Sequence, residues 1–245
     1  MIKKELQLEI LRQPDNTTCG PTCLHAVYRY FDEPIELAQV IRETPMLSGG
    51  GTLGVHLGCH ALKRGYRVTI YTFNLTVFDP TWFKEGKISA SLLTEKLEAQ
   101  SAVKPLPKLR RACRAYCKFL RLGGVIRMRD LTGSLLRRYL NRSIPILTGL
   151  SSTYLYQCAR EYGPDCKSDD IRGFPTGHFV VLCGYDKKRR TVRVADPFLP
   201  NPAGHDHYYE VVMERLVCSI LLGVLTYDAN LLIIEPAAGK RPAIP

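Results

Sequence analysis

The chain has 245 residues, of which 45% are hydrophobic and 23% are charged, and its formal net charge is +11 at pH 7. This composition is ordinary for a soluble globular protein, and we find no internal repeat or low-complexity linker. We therefore predict a single domain over residues 1–245. The longest apolar run, residues 216–227, is too short to span a membrane, so we predict no membrane span and interpret the run as a buried strand.

The cysteines and the N-terminal residues indicate the compartment. The nine cysteines are odd in number and have no repeating spacing, and the N-terminus lacks the apolar run and cleavage site of a signal peptide. We interpret the cysteines as reduced thiols and predict a cytoplasmic protein. Pairs of His or Cys residues lack the clustered partners of a metal site, so we predict neither a metal nor a cofactor.

The positive charge is concentrated in one segment. Between Lys104 and Arg142 the sequence contains twelve Lys or Arg residues and one acidic residue, Asp130. Such a segment is either a solvated face or a surface for an acidic partner. Aromatic residues are not interleaved with the basic ones in a stacking pattern, so we do not expect nucleic-acid binding.

Hydrophobic periodicity, with Gly and Pro as punctuation, predicts the order of the elements. The predicted elements are a strand at 5–11, helices at 20–31, 36–43 and 55–64, a strand at 67–73, helices at 89–101, 108–122 and 131–141, and strands at 144–150, 179–185, 191–195, 208–212 and 231–235. Helices that precede a run of antiparallel strands predict an α+β fold.

Cys19 lies directly before the first predicted helix, in residues 13–24, which read QPDNTTCGPTCL. The free N–H groups and the positive end of a helix stabilise a thiolate. Gly20 lets the backbone pass close to a substrate carbonyl, so that the Cys19 N–H becomes one oxyanion donor. Gln13, upstream on a loop, is the candidate second donor.

A catalytic thiol needs a base, and the sequence offers one far downstream. His178 opens an apolar strand, and Asp196 ends the next strand after a polar turn. The two strands therefore predict a hairpin that places His178 beside Asp196. In that position Asp196 accepts from one ring nitrogen and fixes the tautomer of the base.

These motifs together resemble family thirty-nine of the cysteine peptidases. The matching segments are QPDNTTCGPTCL at 13–24, GHFVVLCGYD at 177–186 and VADP at 194–197, and the resemblance covers roughly residues 7–66 and 144–235. The family is papain-like and includes the double-glycine leader peptidase domains of bacteriocin exporters, which are bacterial. The resemblance implies a papain-like cysteine peptidase fold, with the nucleophile at a helix N-terminus in the N-terminal helical part and a C-terminal antiparallel sheet carrying His and Asp.

The resemblance also implies the roles of four residues: Gln13 as oxyanion-hole donor, Cys19 as nucleophile, His178 as base and Asp196 as the orienting residue. Two features depart from the exporter peptidases. This chain has no transmembrane segment and is expected to be a free-standing member, so a leader-peptide substrate does not carry over. A basic helical stretch at about 74–143 exceeds the minimal peptidase domain and is interpreted as an insertion.

We therefore predict a cysteine peptidase, a hydrolase that cleaves a peptide or amide bond of a peptide or protein substrate by a Cys-His-Asp mechanism. Two alternatives stay open: an acyl or amide transferase using the same site, and a catalytically silent peptide-binding module that uses the basic segment. Residues before His178, between Tyr154 and Pro175, are expected to form a loop over the cleft that influences specificity.

Overall fold

The six predicted helices are present in the predicted order as α1 to α6, and two further helices, α7 and α8, were not predicted. The structure is a computed structural model that describes residues 2–85 and 87–237. Its α-helices in these ranges are α1 (Cys19–Tyr30), α2 (Leu37–Glu43), α3 (Gly54–Lys63), α4 (Ala90–Val103), α5 (Pro107–Arg121), α6 (Gly133–Leu140), α7 (Ser152–Tyr156) and α8 (Met213–Leu222). Short 3-10 turns occur at Pro80–Trp82 and Gly223–Thr226.

The strands fall mostly in the second half of the chain. In the described part they are β1 (Lys3–Glu5), β2 (Arg67–Thr72), β3 (Val125–Arg127), β4 (Ile146–Ser151), β5 (Glu161–Tyr162), β6 (Lys167–Ser168), β7 (Gly177–Asp186), β8 (Thr191–Ala195), β9 (Tyr208–Val212) and β10 (Asn230–Glu235).

One sheet organises the molecule. Its strand order is β3-β2-β10-β4-β7-β8-β9, and β1 pairs with the far end of the long strand β7. Neighbouring strands are antiparallel except for the parallel pair β2 and β3. The separate pair β5 and β6 forms a small hairpin before β7. The mixture of helices with a mostly antiparallel sheet confirms the predicted α+β class.

Helices α1 and α3 pack against the sheet, α1 on β7 and α3 on β2 and β10. Gly20, in the first turn of α1, is buried where α1 meets both neighbours. A Cβ atom there would lie 2.9 Å from Cγ2 of Thr52 and 3.2 Å from side-chain atoms of Leu57 and Phe179. The glycine thus permits the close approach of α1 to α3 and β7, a packing requirement that differs from the substrate-facing reason expected from sequence.

Two predicted strands are wrong, the first in its type and the second in its extent. The apolar run at 216–227 is helical, since α8 covers its first part and the 3-10 turn follows; Leu216 and Ile220, one helical turn apart, are buried while Leu221 and Leu222 are exposed. A short apolar run does not separate helix from strand by itself. The strand predicted at 5–11 pairs only at 3–5, although the alternating Leu6, Leu8 and Ile10 are buried as predicted.

The segment at 74–143 holds α4, α5, β3 and α6. Strand β3 extends the main sheet beside β2, and α5 packs on α3. Phe119 of α5 fits against two glycines, since a Cβ atom would lie 2.8 Å from its ring at Gly58 and 2.3 Å at Gly124. This segment therefore shares the hydrophobic core with the rest of the chain.

Within residues 2–85 and 87–237, no helix is both long enough and apolar enough to cross a membrane.

Candidate active site

Cys19 is the first residue of α1, so the helix begins one residue earlier than the predicted start at residue 20. Only 8% of the Cys19 surface is exposed, so the residue is buried at the N-terminal end of the helix. The first turn of α1 has no acidic residue, and the preceding Thr18 makes no side-chain cap. N–H groups of a first helical turn have no partner inside the helix, so they can face a thiolate or an oxyanion.

The hairpin of β7 and β8 brings His178 and Asp196 together. In its register Val181 lies opposite Ala195, which places His178 and Asp196 at the same end of the two strands. Nε2 of His178 lies 2.8 Å from Oδ1 of Asp196. This contact leaves Nδ1 as the ring nitrogen that is free to face the Cys19 thiol, which lies close enough to help raise the pKa of His178.

Two tyrosines that we did not predict complete the surroundings of Asp196. The phenols of Tyr156 and Tyr209 donate to its Oδ2 at 2.7 and 2.6 Å, and the Phe198 N–H donates to Oδ1 at 2.9 Å. Asp196 itself is completely buried. Tyr156 lies in α7, within the segment expected to cover the cleft, but its hydroxyl points at the carboxylate.

The electrostatics of the pair follow from these contacts. Burial alone would lower the pKa of His178, but the Asp196 charge, its hydrogen bond and the Cys19 thiol raise it to about 10. Burial alone would raise the pKa of Asp196, but His178 and the hydrogen bonds from Tyr209 and Tyr156 lower it. The pair is therefore stable as imidazolium and carboxylate, the state that favours a neighbouring thiolate.

Gln13 is buried beside the end of β8. Its backbone N–H donates to the Pro197 carbonyl at 2.9 Å, which ties the loop before α1 to the residue after Asp196. Its side-chain Nε2 donates to the Asp15 carbonyl at 2.8 Å. This bond uses one of the two protons of the amide NH2. The Oε1 atom of the same amide is buried and has no hydrogen-bond partner among the described residues.

A cavity of about 370 Å3, which we call the His178 cleft, opens beside these residues. Its lining includes two members of the predicted set, Gln13 and His178, together with residues from α7, the β5–β6 hairpin and the loop after β8. A larger cavity of about 750 Å3 lies elsewhere, between residues 128–138 and Glu85. Since that cavity is lined by none of the four predicted residues, the His178 cleft is the candidate substrate site.

The other thiols and histidines have structural surroundings. The Cys23 thiol is fully buried and donates to the Phe179 carbonyl at 3.2 Å; burial and the neighbouring Cys19 and Asp196 raise its pKa well above the ordinary value. His60 contacts the Tyr28 hydroxyl and Glu43. In the described ranges the nine cysteines are free, and no group of three or more His, Cys, Asp or Glu side chains could hold a metal ion.

Residues 109–217 match the model of the Peptidase_C39 like family. The matched range contains His178 and Asp196, while Gln13 and Cys19 precede it. No curated protein matches the chain.

Solved structures of similar fold come from several cysteine peptidases. A double glycine motif protease from the AMS/PCAT transporter, in complex with the leader peptide, is 14% identical over 96% of this chain and 95% of that chain, with a TM-score of 0.46. The peptidase domain of Streptococcus ComA is 13% identical over 94% and 100%, with a TM-score of 0.43. Xylellain, a cysteine protease from Xylella fastidiosa, is 14% identical over 97% and 87%, with a TM-score of 0.47.

Over residues 109–217 the match to the family model confirms the predicted resemblance to family thirty-nine of the cysteine peptidases.

Proposed function

We propose that the protein hydrolyses a peptide or amide bond with Cys19 as nucleophile, His178 as general base and acid, and Asp196 as the orienting carboxylate. The observation that carries this proposal is the 2.8 Å contact of the His178 imidazole with the buried Asp196 carboxylate, with the Cys19 thiol close enough to raise the pKa of the same imidazole. A thiol at a helix N-terminus beside an imidazolium is the arrangement that produces a reactive thiolate.

In the first half-reaction the Cys19 thiolate attacks the carbonyl carbon of the scissile bond. The negative charge that develops on the carbonyl oxygen is met by the Cys19 N–H and by the free proton of the Gln13 amide. The C–N bond then breaks, the imidazolium of His178 gives its proton to the leaving amine, and an acyl-enzyme thioester is left on Cys19.

In the second half-reaction water replaces the amine in the His178 cleft. The imidazole removes a proton from the water, whose oxygen attacks the thioester carbonyl, and the carboxylic acid product leaves as the thiolate and imidazolium pair is restored. Asp196 keeps Nε2 protonated through the cycle, so that Nδ1 faces the sulfur and the substrate.

The first test is the rate of Cys19 alkylation by iodoacetamide as a function of pH, with the modified site mapped by mass spectrometry. We expect selective modification of Cys19 over the other thiols, and a marked slowing in His178→Ala. Cys23, one helical turn away but fully buried, is an internal control that should not react. An inert Cys19, or one indifferent to His178, would contradict the proposal.

The second test separates hydrolysis from its alternatives. Peptides incubated with the wild type are analysed for products by mass spectrometry, with Cys19→Ala as the blank. New acid termini support hydrolysis, and products joined to an added amine such as hydroxylamine support a transferase. A reactive Cys19 with neither product would support the silent peptide-binding module.

We further propose that the outer face of α5 binds an acidic region of a substrate protein. Six basic residues of this helix are exposed, and none of them forms an ion pair with a described acidic residue: Lys108, Arg110, Arg111, Arg114, Lys118 and Arg121. The opposite face of α5 is buried in the core, so these charges all lie on the side of the helix that faces away from the core.

Binding of a poly-glutamate peptide should weaken with salt and with Arg111→Glu and Arg114→Glu. Equal binding by the charge-reversed protein would contradict it, and preferential binding of RNA would indicate a different partner.

A further inference from the structure

One wall of the His178 cleft comes from the β5–β6 hairpin, outside the four predicted residues. Glu161, in β5, lines this wall and is half-buried. Its backbone pairs with Ser168 of β6. On the other side its N–H donates to the Phe174 carbonyl at 3.2 Å, and its carbonyl accepts from the Phe174 N–H at 2.8 Å. Pairing on both sides fixes where the Glu161 side chain leaves the backbone.

The basic residues in the segment around Glu161 have other partners. In the described part of the chain the Glu161 carboxylate forms no ion pair within 4 Å, although the segment from 157 to 176 holds three basic residues. Each of the three has another partner: Arg172 with Asp169 at 2.6 Å, Lys167 with Asp165 at 3.9 Å, and Arg160 with the carbonyl oxygens of Asp170 and Ile171.

Two cysteine side chains share the lining of the cleft with Glu161. Cys158 and Cys166 both line the His178 cleft. Burial raises the pKa of each thiol. A hydrogen bond with Glu161 and the negative charge of its carboxylate raise the pKa of Cys166 further, and the same charge raises the pKa of Cys158. A neutral thiol does not balance a carboxylate. In the described part of the chain, the wall of the cleft therefore carries a carboxylate on an anchored backbone, with no cation within ion-pair distance.

We propose that Glu161 forms a subsite that binds a Lys or Arg side chain of the peptide substrate. The proposal rests on the proposed peptidase function, and it names the substrate class: peptides with a basic residue close to the scissile bond. A cation that enters a concave, partly dehydrated site and meets a carboxylate without an ion-pair partner gains a charge-assisted hydrogen bond. Asp165, at the rim of the same cleft, adds to the negative potential, but it is already paired with Lys167.

The first experiment measures selectivity. A chymotryptic digest of a proteome, which keeps Lys and Arg inside peptides, is incubated with wild type and with Cys19→Ala as the blank, and cleavage sites are mapped by mass spectrometry. We expect Lys and Arg to be enriched at one position near the cleaved bond. In matched peptides with Lys or norleucine at that position, Glu161→Gln should lower kcat/KM for the Lys peptide by about 10- to 100-fold. The norleucine peptide should be cleaved equally by both proteins.

Asp170→Asn is the matched control variant. It removes one negative charge from the same segment, but Asp170 does not line the His178 cleft. We expect it to leave the preference for Lys and Arg unchanged. A preference lost equally in Asp170→Asn and Glu161→Gln would overturn the assignment to Glu161.

The second experiment needs no turnover. Cys158 and Cys166 are labelled with cationic aminoethyl, neutral methyl and anionic sulfonatoethyl methanethiosulfonate, and rates are normalised to the neutral reagent. We expect the cationic reagent to react faster than the anionic one, and this ratio to fall severalfold in Glu161→Gln but not in Asp170→Asn.

The two experiments separate the failure of the subsite from the failure of the function. Cleavage without selection for Lys or Arg would refute the subsite and leave the peptidase intact. No cleavage, together with a cationic preference that depends on Glu161, would refute the peptidase and leave a cation-binding site. Neither cleavage nor cationic preference would refute both.

Discussion

Tyr209 donates its phenolic proton to Oδ2 of Asp196 at 2.6 Å, while Oδ1 of the same carboxylate holds His178. Tyr156 donates to Oδ2 as well. Burial and the Asp196 charge raise the pKa of both phenols, so both remain protonated donors. The carboxylate is therefore stabilised from the side opposite the imidazole, and the two tyrosines are positioning residues for His178.

We expect Tyr156→Phe and Tyr209→Phe to shift the acidic limb of the Cys19 alkylation profile to higher pH. Removing a donor raises the pKa of Asp196; once Asp196 is protonated, His178 loses the charge that keeps it an imidazolium. A hydrogen bond to a charged group corresponds to a shift of roughly 1–2 pH units for each variant. The measurement is the rate of Cys19 alkylation between acidic and neutral pH.

Tyr208→Phe is the control for this prediction. The Tyr208 hydroxyl bonds the backbone of Leu8 and Ile10 and does not touch Asp196, so its loss removes hydrogen bonds without altering the carboxylate. A shift of the same size in Tyr208→Phe would show that the profile follows general loosening of the fold.

Gln13→Ala should separate oxyanion stabilisation from thiol activation. Removing one donor of an oxyanion hole costs about 100- to 1,000-fold in kcat, and we expect this loss on any peptide that the wild type cleaves. The rate of Cys19 alkylation should stay unchanged, because alkylation forms no oxyanion. Asn16→Ala, which changes another residue of the His178 cleft, is the control. Loss of alkylation in Gln13→Ala would indicate that Gln13 positions Cys19 instead.

Gly20→Ala should destabilise the fold. The new methyl group would lie 2.9 Å from Cγ2 of Thr52, and overpacking of this kind costs about 1–3 kcal/mol in the free energy of unfolding. Urea denaturation measures the change. Adding Thr52→Ser removes the crowding methyl group but keeps the hydroxyl that donates to the Pro45 carbonyl at 2.7 Å, so the double variant should recover part of the loss. No recovery would place the strain at Leu57 and Phe179.

Asp228 should make stability depend on pH. It is buried and accepts a hydrogen bond from the Gly54 N–H at 2.7 Å, and burial raises its pKa to about 7. Because its pKa in the folded state is above that in the unfolded state, the native protein binds the extra proton. This contribution is fully present below about pH 4 and is lost as the pH rises towards 7.

Asp228→Asn should therefore stabilise the protein at neutral pH, by at most about 4 kcal/mol, and leave it nearly unchanged at pH 4. The asparagine carbonyl can still accept from Gly54. Thermal unfolding of both proteins at several pH values checks the slope. A variant that is equally destabilised at every pH would mean that the carboxylate is held charged by its surroundings.

The sequence predicts the parts of the site that have a local signature. Cys19 before a helix, and His178 and Asp196 on two strands joined by a short polar turn, are recognisable because turn and strand lengths determine which residues face each other. The role of Tyr209 depends on the register of β8 against β9, where Val194 lies opposite it. No local pattern specifies that register, so this donor was missed.

The elements that were predicted wrongly show the same limit. An apolar run such as 216–227 fits a buried strand or a buried helix, and only contacts with β4 and β9 select the helix α8. At the N-terminus, the alternation at 5–11 correctly predicted which side chains are buried. It did not predict that pairing ends early, where the Tyr208 hydroxyl bonds the backbone of Leu8 and Ile10 in place of a strand.

The position of β3 has a consequence for protein engineering. Strand β3 covers one hydrogen-bonding edge of β2, whose Val68 and Ile70 are buried. Removing residues 74–143 to obtain a smaller enzyme would expose that edge. An uncovered apolar strand edge is a template for pairing with another molecule. A shortened version would therefore aggregate unless a designed cap replaced Val125–Arg127, even if its catalytic groups were untouched.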